Sequence, residues 1–249
     1  MTDGLLLIHA FPLDHRMWEP QVQAMQRIGV TVVAPDLPGF GRTPPSAPVL
    51  TMDLAAQHCL RALDEAGLDR ALVCGASMGG YVALELWRSA PDRVTGLLLA
   101  NTRAEADTQE AAGARRALAS RLRREGSAFL LADPPKLVTS PRSAEILIIM
   151  SEQSSEAIAA ASLGMAERPD ARPSLPGISV PTLVVTSAGD QIIAPAVSTG
   201  MALSIPDAEL LELPGDGHLS NLEAPEAFNT GLVALAERCG LRRPRPSVD

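Results

Sequence analysis

Six short, almost wholly apolar runs punctuate the chain: Leu5-Leu6-Leu7-Ile8, Thr31-Val32-Val33-Ala34, Leu72-Val73-Cys74, Gly96-Leu97-Leu98-Leu99, Thr182-Leu183-Val184-Val185 and Ala208-Glu209-Leu210-Leu211. A run of this length without a polar face suits a strand covered on both sides, because alternate side chains then all meet an apolar layer. The intervening stretches have helical length, at about Glu19 to Ile28, Thr51 to Ala66, Met78 to Ser89, Pro195 to Ser204 and Pro225 to Cys239. Thr51 and the pair Ala194-Pro195 read as helix starts, and Gly67 as the residue just past a helix end. Strand and helix alternate through short connections. The pattern therefore predicts an α/β fold with a mostly parallel, doubly covered sheet, whose sites form beyond the carboxyl ends of the strands.

The alternation breaks between roughly Arg103 and Pro176, where helical segments follow one another without a convincing strand. Gly126 and Pro134-Pro135 punctuate this stretch, Ser140-Pro141 offers an N-cap followed by a first-turn proline, and Arg168-Pro169 and Leu175-Pro176 close it. It is expected to be an inserted helical cap over residues 104–176, set into a core of residues 1–103 and 177–241. Leu118, Leu122, Ile146, Ile149 and Met150 are placed to face that core. Residues 242–249, rich in proline and charge, are expected to form a flexible tail.

Composition narrows the class. A chain of 249 residues that is 46% hydrophobic can bury one large core. Its formal net charge of −8 disfavours nucleic acid as a partner, since phosphate binding needs a concentrated basic surface. The local cluster Arg115, Arg116, Arg121, Arg123 and Arg124 reads as the solvated face of a helix. The three cysteines, Cys59, Cys74 and Cys239, are odd in number and far apart, which argues against a disulfide framework or a zinc site and fits a reducing cytoplasm. The chain enters its first strand directly after Met1-Thr2-Asp3, with no leader-like segment and no apolar run of membrane-spanning length, so neither secretion nor membrane insertion is expected.

The chemistry concentrates at Gly75-Ala76-Ser77-Met78-Gly79, between an apolar run and a helical pattern. Gly-x-Ser-x-Gly in that context reads as a nucleophile elbow, a strained strand-to-helix turn that presents the serine hydroxyl above the sheet. A serine hydroxyl is almost un-ionised at neutral pH and needs a base and an acid to orient that base. Asp190 in Ser187-Ala188-Gly189-Asp190 and His218 in Gly215-Asp216-Gly217-His218 each follow a strand run, in the chain order serine, acid, histidine. Asp216 competes with Asp190 but sits in the turn itself. Of the other histidines, His9 ends the first strand and is expected to hold its loop by a hydrogen bond, His15 lies in a loop near the site and His58 lies mid-helix. Two backbone amides should await the developing oxyanion: that of Met78, after the nucleophile, and that of Phe11 in the loop after the first strand, where Pro12 cannot donate. This scheme calls for no metal and no cofactor.

These residues resemble the α/β-hydrolase family over nearly the whole chain: His9-Ala10-Phe11-Pro12, Asp36-Leu37-Pro38-Gly39-Phe40-Gly41, the Ser77 elbow, Val180-Pro181-Thr182 ahead of Asp190, and His218 fall in the family's order. The stretches His218 to Phe228 and Asn101 to Thr108 look like the 3-oxoadipate enol-lactonase and small-esterase branch. The family usually opens with two further strands, so the resemblance implies a shorter sheet with one unusually exposed edge, which could pair two copies into a homodimer. Ala10 and Ser187 stand where the family commonly has glycine. The resemblance implies hydrolysis of a small-molecule carboxylic ester or lactone through an acyl-enzyme. An enol-lactone carries its own carboxylate, so Arg16 beside the oxyanion loop and Arg103 after the fourth strand are candidate contacts for it, and Trp18 is a further substrate-binding candidate. Phe11-Pro12 also resembles the cofactor-free haloperoxidases and perhydrolases of the same fold, and a ligand receptor that retains the triad is the reading from a different class.

Overall fold

The computed structural model describes residues 1–139 and 142–241. Among them, β1 (Asp3–Ile8), β2 (Val32–Val33), β3 (Arg70–Ala76), β4 (Val94–Ala100), β5 (Thr182–Ser187) and β6 (Ala208–Leu213) form one sheet in the order β2-β1-β3-β4-β5-β6, with every neighbouring pair parallel. Successive strand residues point to opposite faces. Leu6, Ile8, Val73, Leu97, Leu99 and Val184 accordingly enter one apolar layer, and Leu5, Leu7, Leu72, Cys74, Leu98 and Val185 enter the other. The helices α2 (Met52–Glu65), α3 (Met78–Ser89) and α8 (Pro195–Ser204) cover the first layer with Ala55, Cys59, Val82, Leu86 and Met201. On the opposite face, α1 (Glu19–Arg27) and α10 (Pro225–Arg238) supply Met25, Phe228 and Leu232. Each large apolar side chain buried this way contributes about 1.5–3 kcal/mol, which is why the unbroken apolar runs become the inner strands.

The predicted helix boundaries have visible causes. The Thr51 hydroxyl accepts the Leu54 N–H at 3.2 Å and starts α2. Gly67, at φ +69°, ends it while its N–H donates to the Asp64 carbonyl at 3.0 Å. Pro195 occupies the first turn of α8. At the edge beside β1 the structure differs from expectation: β2 is only two residues long, and both are half-buried, because Val32 packs against one apolar layer and Val33 against the other. The more open edge is β6, where Leu210 is 41% exposed.

Between β4 and β5 the described residues hold α4 (Gln109–Glu125), α5 (Ala128–Ala132), α6 (Ser143–Ser151) and α7 (Ser155–Ala166), and no strand. Thr108 and Ser154 cap α4 and α7 through their hydroxyls. These two helices pack on each other. Leu122, Ile146, Ile149 and Met150 are buried, and Leu118 is partly buried against the first layer. The expected cap at Ser140-Pro141 and the expected tail at 242–249 lie outside the described residues. A short helix, α9 (Ser220–Glu223), links the end of β6 to α10. No helix among the described residues is long and apolar enough to cross a membrane.

Candidate active site

Ser77 alone makes the turn between β3 and α3, at φ 52° and ψ −114°. Such a backbone costs a residue with a Cβ about 1–3 kcal/mol and persists only where its surroundings enforce it. Here the Ser77 N–H donates to the Ala100 carbonyl at 2.9 Å, while the Ser77 carbonyl accepts the Gly80 N–H at 2.9 Å and the Thr102 hydroxyl at 2.8 Å. Close packing does the rest. A Cβ on Gly75 would lie 2.2 Å from the Gly79 carbonyl oxygen, and one on Gly79 would lie 2.1 Å from that of Ile8. Strand, turn and helix therefore close only with glycine on either side of the serine.

The parallel register brings the ends of β3, β4, β5 and β6 to one edge of the sheet, and with them Ser77, Asn101, Asp190 and His218. His218 Nε2 lies 2.8 Å from Ser77 Oγ, and His218 Nδ1 lies 2.8 Å from Asp190 Oδ2. A carboxylate can only accept, so the proton sits on Nδ1 and Nε2 is free to accept from the serine hydroxyl. Asp190 Oδ2 also accepts from Asn101 Nδ2 at 3.0 Å, and Oδ1 accepts the N–H groups of Ile192 and Ile193 at 2.8 and 3.0 Å. Burial alone pushes the Asp190 carboxyl upward, but His218 and the other donors outweigh it and hold the pKa below the ordinary carboxylate value. Asn101, at φ 47°, is itself held through its Oδ1, which accepts the Ser220 hydroxyl at 2.5 Å. The arrangement can take a proton from Ser77 onto an imidazole whose developing charge has a buried carboxylate beside it.

Ser77, His218 and Phe11 line a cavity of about 640 Å³, roofed in part by the inserted helices through Leu118, Leu130 and Met165. That volume suits a small organic ligand. The amides of Phe11 and Met78 donate to no backbone carbonyl among the described residues. Arg103 lies on the same wall. Its Nη2 donates to the Ile192 carbonyl at 3.3 Å, its Nε is buried without a partner, and it makes no ion pair among the described residues. Arg16 and Trp18 correct the expectation. The Arg16 guanidinium turns away to Asp14 at 2.7 Å and Glu152 at 2.5 Å, and Trp18 is fully buried against Phe228, so neither lines the Ser77 cavity.

Other residues were legible only in part. Arg115, grouped above with a solvated helix face, instead turns inward to Asp107 at 2.6 Å. Arg168 meets the other Asp107 oxygen at 2.7 Å and lies over the Tyr81 ring at 4.2 Å. Ala111, Arg115 and Leu118 all line the cavity, and their spacing of four and three residues marks a helix face that could have been read in advance. Burial raises the Asp107 carboxyl, but the two arginines more than offset it and leave its pKa lowered. His9 holds its loop as expected: its Nε2 accepts the Leu37 N–H at 2.9 Å, and burial keeps the imidazole pKa below its ordinary value. Asp14, His15 and Asp36 place ligand-type atoms within 4.8 Å of one another. Their oxygens are already engaged by Arg16, Gln153, His15 and Arg42, so the group reads as a hydrogen-bond network.

Residues 5–230 match the alpha/beta hydrolase family. A thermophilic esterase from Thermogutta terrifontis, solved with malate bound, is 36% identical with a TM-score of 0.90, covering 96% of this chain and 92% of that one. The enol-lactonase from Burkholderia xenovorans LB400 is 29% identical with a TM-score of 0.85, covering 95% and 92% of the two chains. 3-Oxoadipate enol-lactonase 2 of Acinetobacter baylyi is 29% identical over 243 residues, which are 94% of this chain and 89% of that protein.

Proposed function

The chain belongs to the alpha/beta hydrolase family, and from that premise we propose that it hydrolyses a carboxylic ester or lactone through Ser77, His218 and Asp190. The observation that carries this reading is the pair of 2.8 Å contacts from Ser77 Oγ to His218 Nε2 and from His218 Nδ1 to Asp190 Oδ2, opening into the cavity. Ser77 Oγ attacks the substrate carbonyl as its proton passes to His218 Nε2. The tetrahedral oxyanion takes hydrogen bonds from the Phe11 and Met78 amides. The carbon–oxygen bond to the leaving group then breaks, and His218 returns the proton to the departing oxygen. Water, deprotonated by His218, attacks the acyl-Ser77 ester; the bond from the acyl carbon to Ser77 Oγ breaks, Oγ takes the proton back from His218 Nε2, and the acid is released. Asp190 keeps the imidazole in the required tautomer and stabilises the imidazolium in both halves. The inserted helices between β4 and β5 act as the cap that shapes the acyl pocket.

Arg103 supports a substrate that carries a carboxylate of its own. Arg103 lies on the cavity wall with no carboxylate partner among the described residues, and a guanidinium so placed can meet an anion through its Nη donors. The malate bound to the Thermogutta esterase and the enol-lactonase relatives agree with that chemistry. The first experiment is turnover of a short activated ester by the parent and by Ser77→Ala. Loss of up to about 10⁶-fold is expected if the three residues act as a unit. Turnover left unchanged in that variant would defeat the assignment.

A further inference from the structure

Gln153 lies just past α6 in the inserted segment, far in sequence from the Ser77 relay, and its side chain is almost completely buried at 4% exposure. Every polar atom of its amide is engaged. Nε2 donates to Asp14 Oδ2 at 2.9 Å and to the Ile149 carbonyl at 2.9 Å, and Oε1 accepts the Gly41 N–H at 3.0 Å. The amide is oriented by its partners, since a carboxylate and a carbonyl can only accept and a backbone N–H can only donate. One side chain thus joins three segments distant in sequence: the insertion, the loop after β1 and the loop after β2.

The loop after β1 is the one that carries Phe11. Asp14, three residues on, caps the turn His15–Trp18 by accepting the Arg16 N–H at 3.0 Å, and the Leu13 N–H returns to the Ala10 carbonyl at 2.9 Å. The turn that presents the Phe11 amide thus runs directly into Asp14, whose carboxylate is fixed by Arg16 and Gln153. On its other side the same loop is pinned by Asp36, which accepts the His15 N–H at 2.9 Å and the Arg42 N–H at 2.9 Å. A side chain needed only to fill space could be aliphatic, and burying an amide is costly unless its bonds are made. Gln153 makes those bonds to the loop that carries Phe11 and to the loop after β2.

We infer that Gln153 is a positioning residue, which ties the inserted helices to the loop bearing Phe11 and so holds one oxyanion donor in register with Ser77. This rests on the serine-hydrolase reading above. A displacement of about 1 Å at a reacting centre can cost about 10²-fold in rate, so small movements of this loop are sufficient. The groups facing the Gln153 amide are Asp14, Arg16 and Glu152, and beyond Gly41 the Asp36–His15 pair and Arg42.

The test compares the full-length parent with Gln153→Leu and Gln153→Glu on a short activated ester, and on a trifluoromethyl ketone, which forms an oxyanion adduct with a reactive serine. Gln153→Leu should lower kcat by about 10- to 10²-fold while KM moves less than about 2-fold, and should weaken the ketone in parallel with the loss in kcat/KM. In Gln153→Glu the introduced carboxyl can mimic the amide only while protonated. It faces the Asp14 carboxylate, so its pKa should lie above the ordinary value of about 4.3, and the ratio of variant to parent kcat should fall as pH rises. This pH signature is one that a purely packing role would not produce, and it survives if the leucine variant folds poorly. A leucine variant with parental kcat and ketone affinity, or a glutamate variant with the parental pH profile, overturns the inference. If the parent neither turns over ester nor forms a ketone adduct, the serine-hydrolase reading fails instead.

Discussion

At the residue scale the site depends on groups whose donors and acceptors are matched one to one. Asp190 accepts from His218, Asn101, Ile192 and Ile193, and that saturation keeps it ionised beside the imidazole despite burial. Arg103 is the contrasting case, a cation with its Nε unpartnered on the wall of the same cavity. Replacing it tests what it is for. Arg103→Met should lower kcat/KM for an ester bearing a remote carboxylate by about 10- to 10²-fold, the worth of a charge-assisted hydrogen bond. A neutral ester of the same length should be hardly affected. Equal losses on both esters, measured by initial rates, would count against a substrate-anion role. Ser77, Asp190 and His218 were legible in the sequence because chemistry restricts both their type and their order. Arg16 and Trp18 were misplaced because proximity along a loop does not determine which side of it a side chain occupies. Arg16 finds Asp14 and Glu152, and Trp18 finds Phe228.

At the element scale the strand–turn–helix unit around Ser77 works because nothing larger than hydrogen stands at Gly75 and Gly79. The β1 strand passes so close to the start of α3 that the Ile8 carbonyl occupies the place of a Cβ on Gly79. Gly79→Ala should therefore destabilise the fold by about 1–3 kcal/mol, as overpacking does. It should also lower kcat, because relief of the clash requires α3 to move away from β1. Denaturant unfolding and turnover, measured on the same preparation, check the two effects together. Strand and helix identities were read from the apolar runs with small errors at their ends. At the β2 edge the strand is shorter than its apolar run: Thr31 and Ala34 flank the two residues, Val32 and Val33, that pair with β1.

At the scale of the whole molecule, the segment between β4 and β5 is held together by charge, and it meets the core where Arg168 lies over the Tyr81 ring of α3. Asp107, in the segment leading from β4 into α4, binds Arg115 of α4 and Arg168 beyond α7, and its side chain is only 4% exposed. Removing one member of a buried ionic cluster typically costs about 3–5 kcal/mol because the remaining charges lose compensation. Asp107→Asn should approach that loss at neutral pH. The folded pKa of Asp107 is depressed, so its contribution is present above the unfolded value of about 3.9 and is lost as pH falls through the folded value. The stability gap between parent and variant should accordingly persist down to about pH 4 and close below it. Urea titrations from pH 7 to pH 3 would show this, and a gap independent of pH would contradict the assignment.

The alternation of apolar runs and helical stretches determined the sheet, its coverage on both faces and the helical stretch between β4 and β5, because burial on two faces leaves a clear pattern in one dimension. The elbow and the order of Ser77, Asp190 and His218 followed as well, since each residue lies in the connection beyond the carboxyl end of a parallel strand. Tertiary structure alone decided that Asn101 steadies Asp190, that Arg115 faces Asp107 and the cavity, that Arg103 has no carboxylate partner among the described residues whereas Arg16 has two, and that Gln153 reaches Asp14 and Gly41 across 139 and 112 residues. The physical reason is the same in each case. Hydrogen bonds and ion pairs between distant segments carry no periodicity, and their partners are selected only when packing of the apolar layers has brought the loop ends together.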